Sequence, residues 1–224
     1  MTATLARRLA AEGLGTALLL AVVVGSGIMG ERLAGGNVAM ALLANSIATG
    51  AGLIALIMTL GPVSGAHFNP VVTLVAALSR ELSWRDAVCF IAVQCIAAFA
   101  GVALAHAMFE LPLFLPSQHV RTGAAQWLSE FAATFGLLMV ILGCVRHRVA
   151  AIPYVVGAYI TAAYWFTSST SFANPAVTLA RAATDTFAGI RPADAPAFIV
   201  AQIAGALTAF ALMYWLLGAP ADSK

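Results

Sequence analysis

Two stretches of the chain, 105 positions apart, carry nearly the same residues. Residues 64–74 and 169–179 agree at six of eleven places, including an Asn-Pro pair and a Val-Thr-Leu triplet that follows it. Each stretch follows a long apolar run and leads into an apolar segment of about ten residues. At ~1.5 Å per residue such a helix is ~15 Å long, half of a ~30 Å hydrocarbon core. The pair therefore predicts two half-helices that meet at the middle of a membrane.

The amino-acid composition also indicates a membrane protein. The chain is 62% hydrophobic and 9% charged, with a mean hydropathy of +0.94, whereas soluble domains carry about 25% charged residues. A net charge of +2 is too small to indicate a nucleic-acid partner, and no basic run supports one, so none is predicted. The three cysteines lie in apolar runs without metal-ligand spacing, so neither a metal nor a cofactor is predicted.

The remaining apolar runs predict an all-α membrane protein with six transmembrane helices and two re-entrant half-helices. The half-helices are predicted at about 70–79 and 175–183, each with Pro at its first position and Asn as its N-cap. The six spans, each long enough to cross a bilayer, are Leu9–Met29, Val38–Leu60, Ala87–Phe109, Trp127–Val145, Val149–Phe166 and Ala197–Leu217.

The two halves of the chain repeat beyond the Asn-Pro stretches. Glu12 near the start of the first span has a counterpart in Glu130 of the fourth, and Gln94 of the third in Gln202 of the sixth. Three spans per half is an odd number, so the second half must enter from the opposite side, which gives an inverted 3+3 repeat. We expect one domain over 1–224, with repeats at about 6–109 and 126–218 joined by an ordered outer loop at about 110–125.

Positive charges predict the orientation of the chain. With the N-terminus inside, seven Lys and Arg residues fall on the cytoplasmic side and four on the outer side, which favours cytoplasmic termini. The inner set is Arg7, Arg8, Arg80, Arg85, Arg146, Arg148 and Lys224, and the outer set is Arg32, Arg121, Arg181 and Arg191.

The two stretches resemble the signature loops of the aquaporin, or major intrinsic protein, family. His67-Phe68-Asn69-Pro70-Val71 and Asn174-Pro175-Ala176 stand in register with the repeat, inside six spans. The resemblance implies the aquaporin fold and a passive channel for small neutral solutes. It also implies a homotetramer among the lipids of a bacterial inner membrane. The chain looks most like bacterial aquaglyceroporins, including those associated with arsenic-resistance genes.

Charge and polarity at the two half-helices are consistent with such a pore. Each N-terminus carries roughly +0.5 charge, and the Asn69 and Asn174 amides can donate to a passing oxygen. Irregular backbone at this depth is tolerated only where it lines a cavity. Carbonyls are therefore expected to line the pore at Gly65, Ala66, His67, Phe68, Thr170, Phe172 and Ala173.

Glu12 and Glu130 are ionisable residues inside spans, which are costly and usually functional. By resemblance, each supports a re-entrant loop by accepting backbone N–H groups. The alternative is a proton-coupling carboxylate of a secondary transporter. The sequence shows neither a nucleophile–base pair nor a metal cluster, so an enzyme is not predicted.

The sequence departs from the family at the selectivity filter. Family members usually carry an arginine directly after the second Asn-Pro-Ala, where this chain has Val177, and the other filter positions fall on Thr49, Ala162 and Ser171. This filter lacks a guanidinium and a large ring, so it favours glycerol and undissociated arsenite over strict water selectivity. A water-selective aquaporin is the alternative.

Arg181 lies four residues beyond Val177, on the same helix face and ~6 Å further out. Two interpretations are open. Arg181 either replaces the missing arginine in a looser vestibule, or it is an interfacial anchor that points to lipid headgroups.

Overall fold

The computed structural model describes residues 3–218, so Lys224 and the outermost residues of both termini lie outside the described part of the chain. Within it, eight α-helices and two 3₁₀ turns make up the regular structure. The helices are α1 Leu5–Leu33, α2 Val38–Ser64, α3 Pro70–Leu78, α4 Trp84–Met108, α5 Ala124–His147, α6 Ile152–Phe166, α7 Pro175–Arg181 and α8 Ala195–Leu217, and the 3₁₀ turns are Val149–Ala151 and Pro192–Asp194.

The predicted six spans and two half-helices are confirmed. Six helices of the described residues are long and apolar enough to cross a membrane, and α3 and α7 are the half-helices, each with Pro at its start. The fifth span differs in detail, because its first residues, Val149–Ala151, form a 3₁₀ turn. Pro153 lies at the first turn of α6, where its missing N–H costs nothing. Further along a helix it would break a backbone hydrogen bond.

Each half of the chain packs in the same way. In the first half, α1 packs against α2 and α4; in the second, α5 packs against α6 and α8. Helices α2 and α6 join the halves, and both half-helices lie against α4 and α8. The two half-helices also contact each other, so the re-entrant loops meet inside the bundle.

Glycines let the packed helices approach backbone to backbone. A Cβ added at Gly50 of α2 would lie 2.8 Å from the Gly157 carbonyl oxygen of α6, and one at Gly157 would lie 2.6 Å from the Gly50 oxygen. At the α5–α8 contact, a Cβ at Gly205 would lie 2.4 Å from the Phe131 oxygen. Small residues are favoured at helix contacts in membranes for this reason.

We expect Gly205→Ala to destabilise the protein, because the new methyl group can be accommodated only if the α5 backbone moves. Overpacking of this kind costs about 1–3 kcal/mol. The melting temperature of the purified protein in detergent should fall accordingly. Gly143→Ala is the matched control on α5, since its Cβ would meet only the Met213 side chain at 3.7 Å. Equal melting temperatures for the two variants would contradict the prediction.

The connection between the halves, between α4 and α5, is bonded to the second half of the chain. Its backbone pairs with the segment after α7, through Ser117 N to Ala182 O at 3.1 Å and Arg191 N to His119 O at 2.7 Å. The Arg121 side chain donates to the carbonyls of Gly189 at 2.7 Å and Ser169 at 3.2 Å. These bonds hold the loop over the second re-entrant stretch.

Candidate pore

A cavity of about 570 Å³ runs through the bundle between the re-entrant loops and the helices α2 and α6. At one end, called the inner end here, it is lined by Val145, Val149 and Glu81; at the other, the outer end, by Arg181. Both Asn69 and Asn174 line it between these ends. At the inner end, burial raises the pKa of the Glu81 carboxyl.

The first re-entrant loop is held by the fully buried carboxylate of Glu12. Its Oε1 accepts from Ser64 Oγ at 2.7 Å and His67 N at 2.9 Å. Its Oε2 accepts from Phe68 N and Gln94 Nε2, both at 2.8 Å. Four donors thus use the acceptor sites of one carboxylate, and two of them are backbone N–H groups of the loop.

Glu130 holds the second loop with the same arrangement. Its Oε1 accepts from Ser169 Oγ at 2.6 Å and Phe172 N at 2.9 Å. Its Oε2 accepts from Ala173 N at 2.9 Å and Gln202 Nε2 at 2.6 Å. The sequence repeat of the Glu and Gln residues is therefore a repeat of one hydrogen-bond network.

Both loops contain non-glycine residues with left-handed backbone. Ala66 and Ser171 have φ of 52°, and Phe68 and Ala173 have φ of 48°. Such conformations cost free energy and persist where the surroundings impose them. The glutamate networks, which bind the N–H groups of Phe68 and Ala173, provide that constraint.

Each asparagine caps its own half-helix and also binds the opposite loop. Asn69 Oδ1 accepts from Val71 N at 3.0 Å, while its Nδ2 donates to Ala173 O at 2.8 Å. Asn174 Oδ1 accepts from Ala176 N at 3.0 Å, while its Nδ2 donates to Phe68 O at 2.8 Å. Each amide keeps a second N–H for the cavity. The bond to the opposite loop was not predicted, since no spacing within one loop encodes it.

The other motif residues support the asparagines without lining the cavity. Pro70, Val71, Pro175 and Ala176 are buried and do not belong to the cavity lining. Six of the seven residues whose carbonyls were predicted to line the pore do line it: Gly65, Ala66, His67, Phe68, Phe172 and Ala173. The prediction for Thr170 is wrong, because this residue lies outside the lining. It precedes the lining segment, and its backbone N–H donates to Thr167 O at 3.4 Å, whereas Phe172 N and Ala173 N donate to Glu130.

Three of the four predicted filter residues line the cavity: Thr49, Ser171 and Val177. The fourth, Ala162, does not, and this prediction is wrong. Ala162 is exposed on α6, two residues from both Ile160 and Tyr164, which do line the cavity. At ~100° per residue, a two-residue offset turns a side chain to the other face of the helix.

Tyr164 takes the place expected of Ala162. Its hydroxyl lies 3.1 Å from Thr49 Oγ1, and its side chain is buried. Tyr164 was not predicted, because the number of residues before Asn174 does not show how long the connection after α6 is. The i, i+4 spacing of Val156, Ile160 and Tyr164 is the sequence signal that could have found it.

The part of the cavity lined by Thr49, Tyr164, Ser171 and Val177 is called the narrow part here. We expect Tyr164→Ala to increase glycerol permeability more than water permeability, by several-fold, because it removes a ring from this part. Ala162→Leu, two residues earlier on the exposed face, should leave both permeabilities unchanged. Stopped-flow light scattering on proteoliposomes measures both. A larger effect at position 162 than at 164 would restore the original assignment.

Arg181 lies inside the protein, so its interpretation as a lipid-headgroup anchor is wrong. Its side chain is 2% exposed and lines the outer end of the cavity. The guanidinium carbon lies 3.4 Å from the centre of the Phe172 ring, and Nε donates to Ala188 O. The stacking on Phe172 and this hydrogen bond keep the charge away from lipid.

Comparisons with known proteins agree with this architecture. The family model described as "Major intrinsic protein" matches residues 1–166. "Aquaglyceroporin AqpS" of Rhizobium meliloti (strain 1021) is 59% identical over 213 residues, covering 95% of this chain and 91% of the relative. A "Probable glycerol uptake facilitator protein" of Thermotoga maritima is 30% identical over 158 residues, covering 62% of this chain and 65% of the relative.

The fold also matches a solved structure. The X-ray structure of the aquaglyceroporin from Plasmodium falciparum superposes with a TM-score of 0.72 at 20% identity, covering 94% of this chain and 96% of that one. At this identity the likeness concerns the fold. The extent of the family match and the 59% identical relative show that the chain belongs to the major intrinsic protein family of membrane channels.

Proposed function

We propose that the protein is a passive, bidirectional channel whose widened filter passes water, glycerol and undissociated metalloid acids such as arsenite. Membership of the family makes it an integral membrane channel for small neutral solutes and not an enzyme. Each subunit would contain one pore and assemble with three others. We place the protein in a bacterial inner membrane with both termini in the cytoplasm.

The observation that carries this proposal is the chemistry of the narrow part of the cavity. Val177 places an isopropyl group where the family usually has a guanidinium, and Thr49, Ser171 and Tyr164 contribute hydroxyls. Among the described residues, Ser171 Oγ has no hydrogen-bond partner although it is buried, so it is available to a solute. A lining of hydroxyls beside an apolar wall suits a molecule with hydroxyl groups and a carbon backbone.

Relatives support the solute class. The 59% identical relative is called an aquaglyceroporin, and the relative from Thermotoga maritima a probable glycerol uptake facilitator. Arsenite as its neutral trihydroxide resembles glycerol in size and in its three hydroxyls. We therefore include it in the same solute class.

Charge at the half-helix N-termini supports the selection of neutral solutes. Together they present ~+1, which at ~5 Å and an effective dielectric near 20 repels a monovalent cation by about 3 kcal/mol. Asn69 and Asn174 cap these termini and line the cavity. Neutral molecules do not experience this repulsion.

The contacts of Glu12 and Glu130 argue against the alternative of a proton-coupled transporter. Each carboxylate accepts four hydrogen bonds, two of them from backbone N–H groups of a re-entrant loop. Neither residue belongs to the cavity lining. Protonation during a transport cycle would break the loop support, so a structural role fits these contacts better.

Stopped-flow light scattering on proteoliposomes tests the proposal, with water, glycerol and arsenite compared with and without a pH gradient. We expect fast, non-saturating flux of all three that does not respond to the gradient. Fast water flux with negligible glycerol and arsenite flux would instead establish a water-selective channel. Saturating flux driven by the gradient would establish a transporter.

A further inference from the structure

Arg181 is a buried cation without a carboxylate partner. The ion pairs among the described residues are Arg8–Asp86 and Arg191–Asp194, and neither involves Arg181. The nearby acids are already engaged: Glu130 binds the second loop, and Asp194 accepts from Arg191 and from Arg121 N. Since burial of an unpaired charge is costly, its retention at a cavity wall calls for a ligand or a function.

The guanidinium is held in a way that leaves its terminal nitrogens available. Nε donates to Ala188 O, and the planar group lies over the Phe172 ring. Within residues 3–218, no protein acceptor bonds to its two terminal nitrogens, and the side chain lines the cavity. The N–H groups are thus presented to whatever occupies the outer end of the pore.

A second arginine strengthens the positive field at this point. The Arg121 guanidinium carbon lies 5.2 Å from the centre of the same Phe172 ring. Its side chain is bonded to the Gly189 and Ser169 carbonyls, so it stays in place. Phe172 itself is fixed by an edge contact with Phe198 at 5.3 Å. Two fixed cations therefore lie beside the outer end of the cavity.

We propose that Arg181 is the cation barrier and solute-orienting residue of this channel, displaced one helical turn outward from the position that Val177 occupies. The inference rests on the proposed channel function. Four residues along α7 place Arg181 on the same face as Val177, ~6 Å further out. Its terminal N–H groups bind a solute oxygen at the entrance, while the narrow part of the cavity keeps only hydroxyls and apolar groups. Charge selection and size selection are thereby separated along the pore.

This separation explains how the filter can be wide without passing cations. An arginine at 177 would occupy the narrow part of the cavity, where its volume limits the solutes that pass. At 181 the same charge lies at the outer end of the cavity, over the Phe172 ring. The channel can then accept bulkier neutral solutes and still repel sodium ions and protons.

The test compares sodium-ion and proton permeability with water and glycerol permeability in proteoliposomes of the full chain. Two neutral variants are used: Arg181→Met, which retains the apolar stem, and Arg181→Gln, whose amide can still donate to Ala188 O. Arg181→Lys retains the charge. Arg32→Gln is the control, since it removes another outer arginine that does not line this cavity.

We expect at least a tenfold rise in cation permeability for both neutral variants, with water permeability maintained. Arg181→Lys and Arg32→Gln should keep the low cation permeability of the unmodified protein. Adding Val177→Arg to Arg181→Met should restore cation exclusion and reduce glycerol flux, because the charge returns to the narrow part.

Three outcomes would overturn the inference. Neutral variants that conduct water normally and remain tight to cations would show that Arg181 is no barrier. An equal cation leak in Arg181→Lys would point to packing rather than charge. If all three variants at 181 fail to fold, the residue is structural. Absence of water and solute flux in the unmodified protein would instead refute the proposed channel function, so the two failures are distinguishable.

Discussion

Glu130→Gln is expected to prevent stable folding of the second half of the channel. The carboxylate accepts from Ser169 Oγ, Phe172 N, Ala173 N and Gln202 Nε2 at 2.6–2.9 Å. A glutamine offers one acceptor oxygen and turns an NH₂ group toward the remaining donors. A hydrogen bond to a charged group contributes about 1.5–3 kcal/mol, and each buried donor left without an acceptor costs about 1–3 kcal/mol. Losses at several donors together are comparable with the whole stability of an ordinary domain, about 5–15 kcal/mol.

Purification in mild detergent measures this effect, through the yield of monodisperse protein and its melting temperature. Glu12→Gln should behave in the same way, because Glu12 supports the first loop with an equivalent network. Glu31→Gln is the control, since Glu31 is exposed on the same helix as Glu12. A Glu130→Gln protein that folds normally but loses a pH-dependent flux would contradict the structural role and favour the transporter alternative.

Val177→Arg is expected to reduce glycerol and arsenite permeability at least tenfold, which corresponds to about 1.4 kcal/mol in the barrier. Water permeability should fall much less. Val177 is 5% exposed and lines the same cavity as the hydroxyls of the narrow part. A guanidinium there would reduce the width available to a three-carbon solute. A single file of water molecules, with its smaller cross-section, can still pass and hydrogen-bond to it.

The matched control is Val177→Met, which adds an unbranched side chain without charge. If glycerol flux decreases in both variants, the volume of the side chain is the cause. If it decreases only in Val177→Arg, the guanidinium is the cause. Equal losses of water and glycerol permeability in Val177→Arg would count against Val177 as a filter residue. Stopped-flow measurements on the same proteoliposome preparations provide all of these values.

Features with a local physical cause were predicted well from the sequence. Apolar runs of membrane-spanning length are helices because lipid leaves no other partner for the backbone. The half-helices begin at Pro70 and Pro175 because Asn caps the first turn and Pro needs no hydrogen bond there. The support of the two loops by Glu12 and Glu130 was implied by the family resemblance, and the internal repeat showed that the two glutamates are equivalent.

The tertiary structure decided what depends on groups far apart in the chain. It replaced Ala162 by Tyr164, because the face of α6 that meets Thr49 is set by packing against α2 and not by distance from Asn174. It bound each asparagine to the opposite loop. It also turned Arg181 into the cavity, because Phe172 and Ala188 offer the guanidinium better contacts than lipid does. The sequence by itself therefore determined the six membrane-spanning helices and the two capped half-helices, whose causes are local. Only the tertiary structure decided the chemistry of the filter, because its walls come from four segments that meet only in the folded protein.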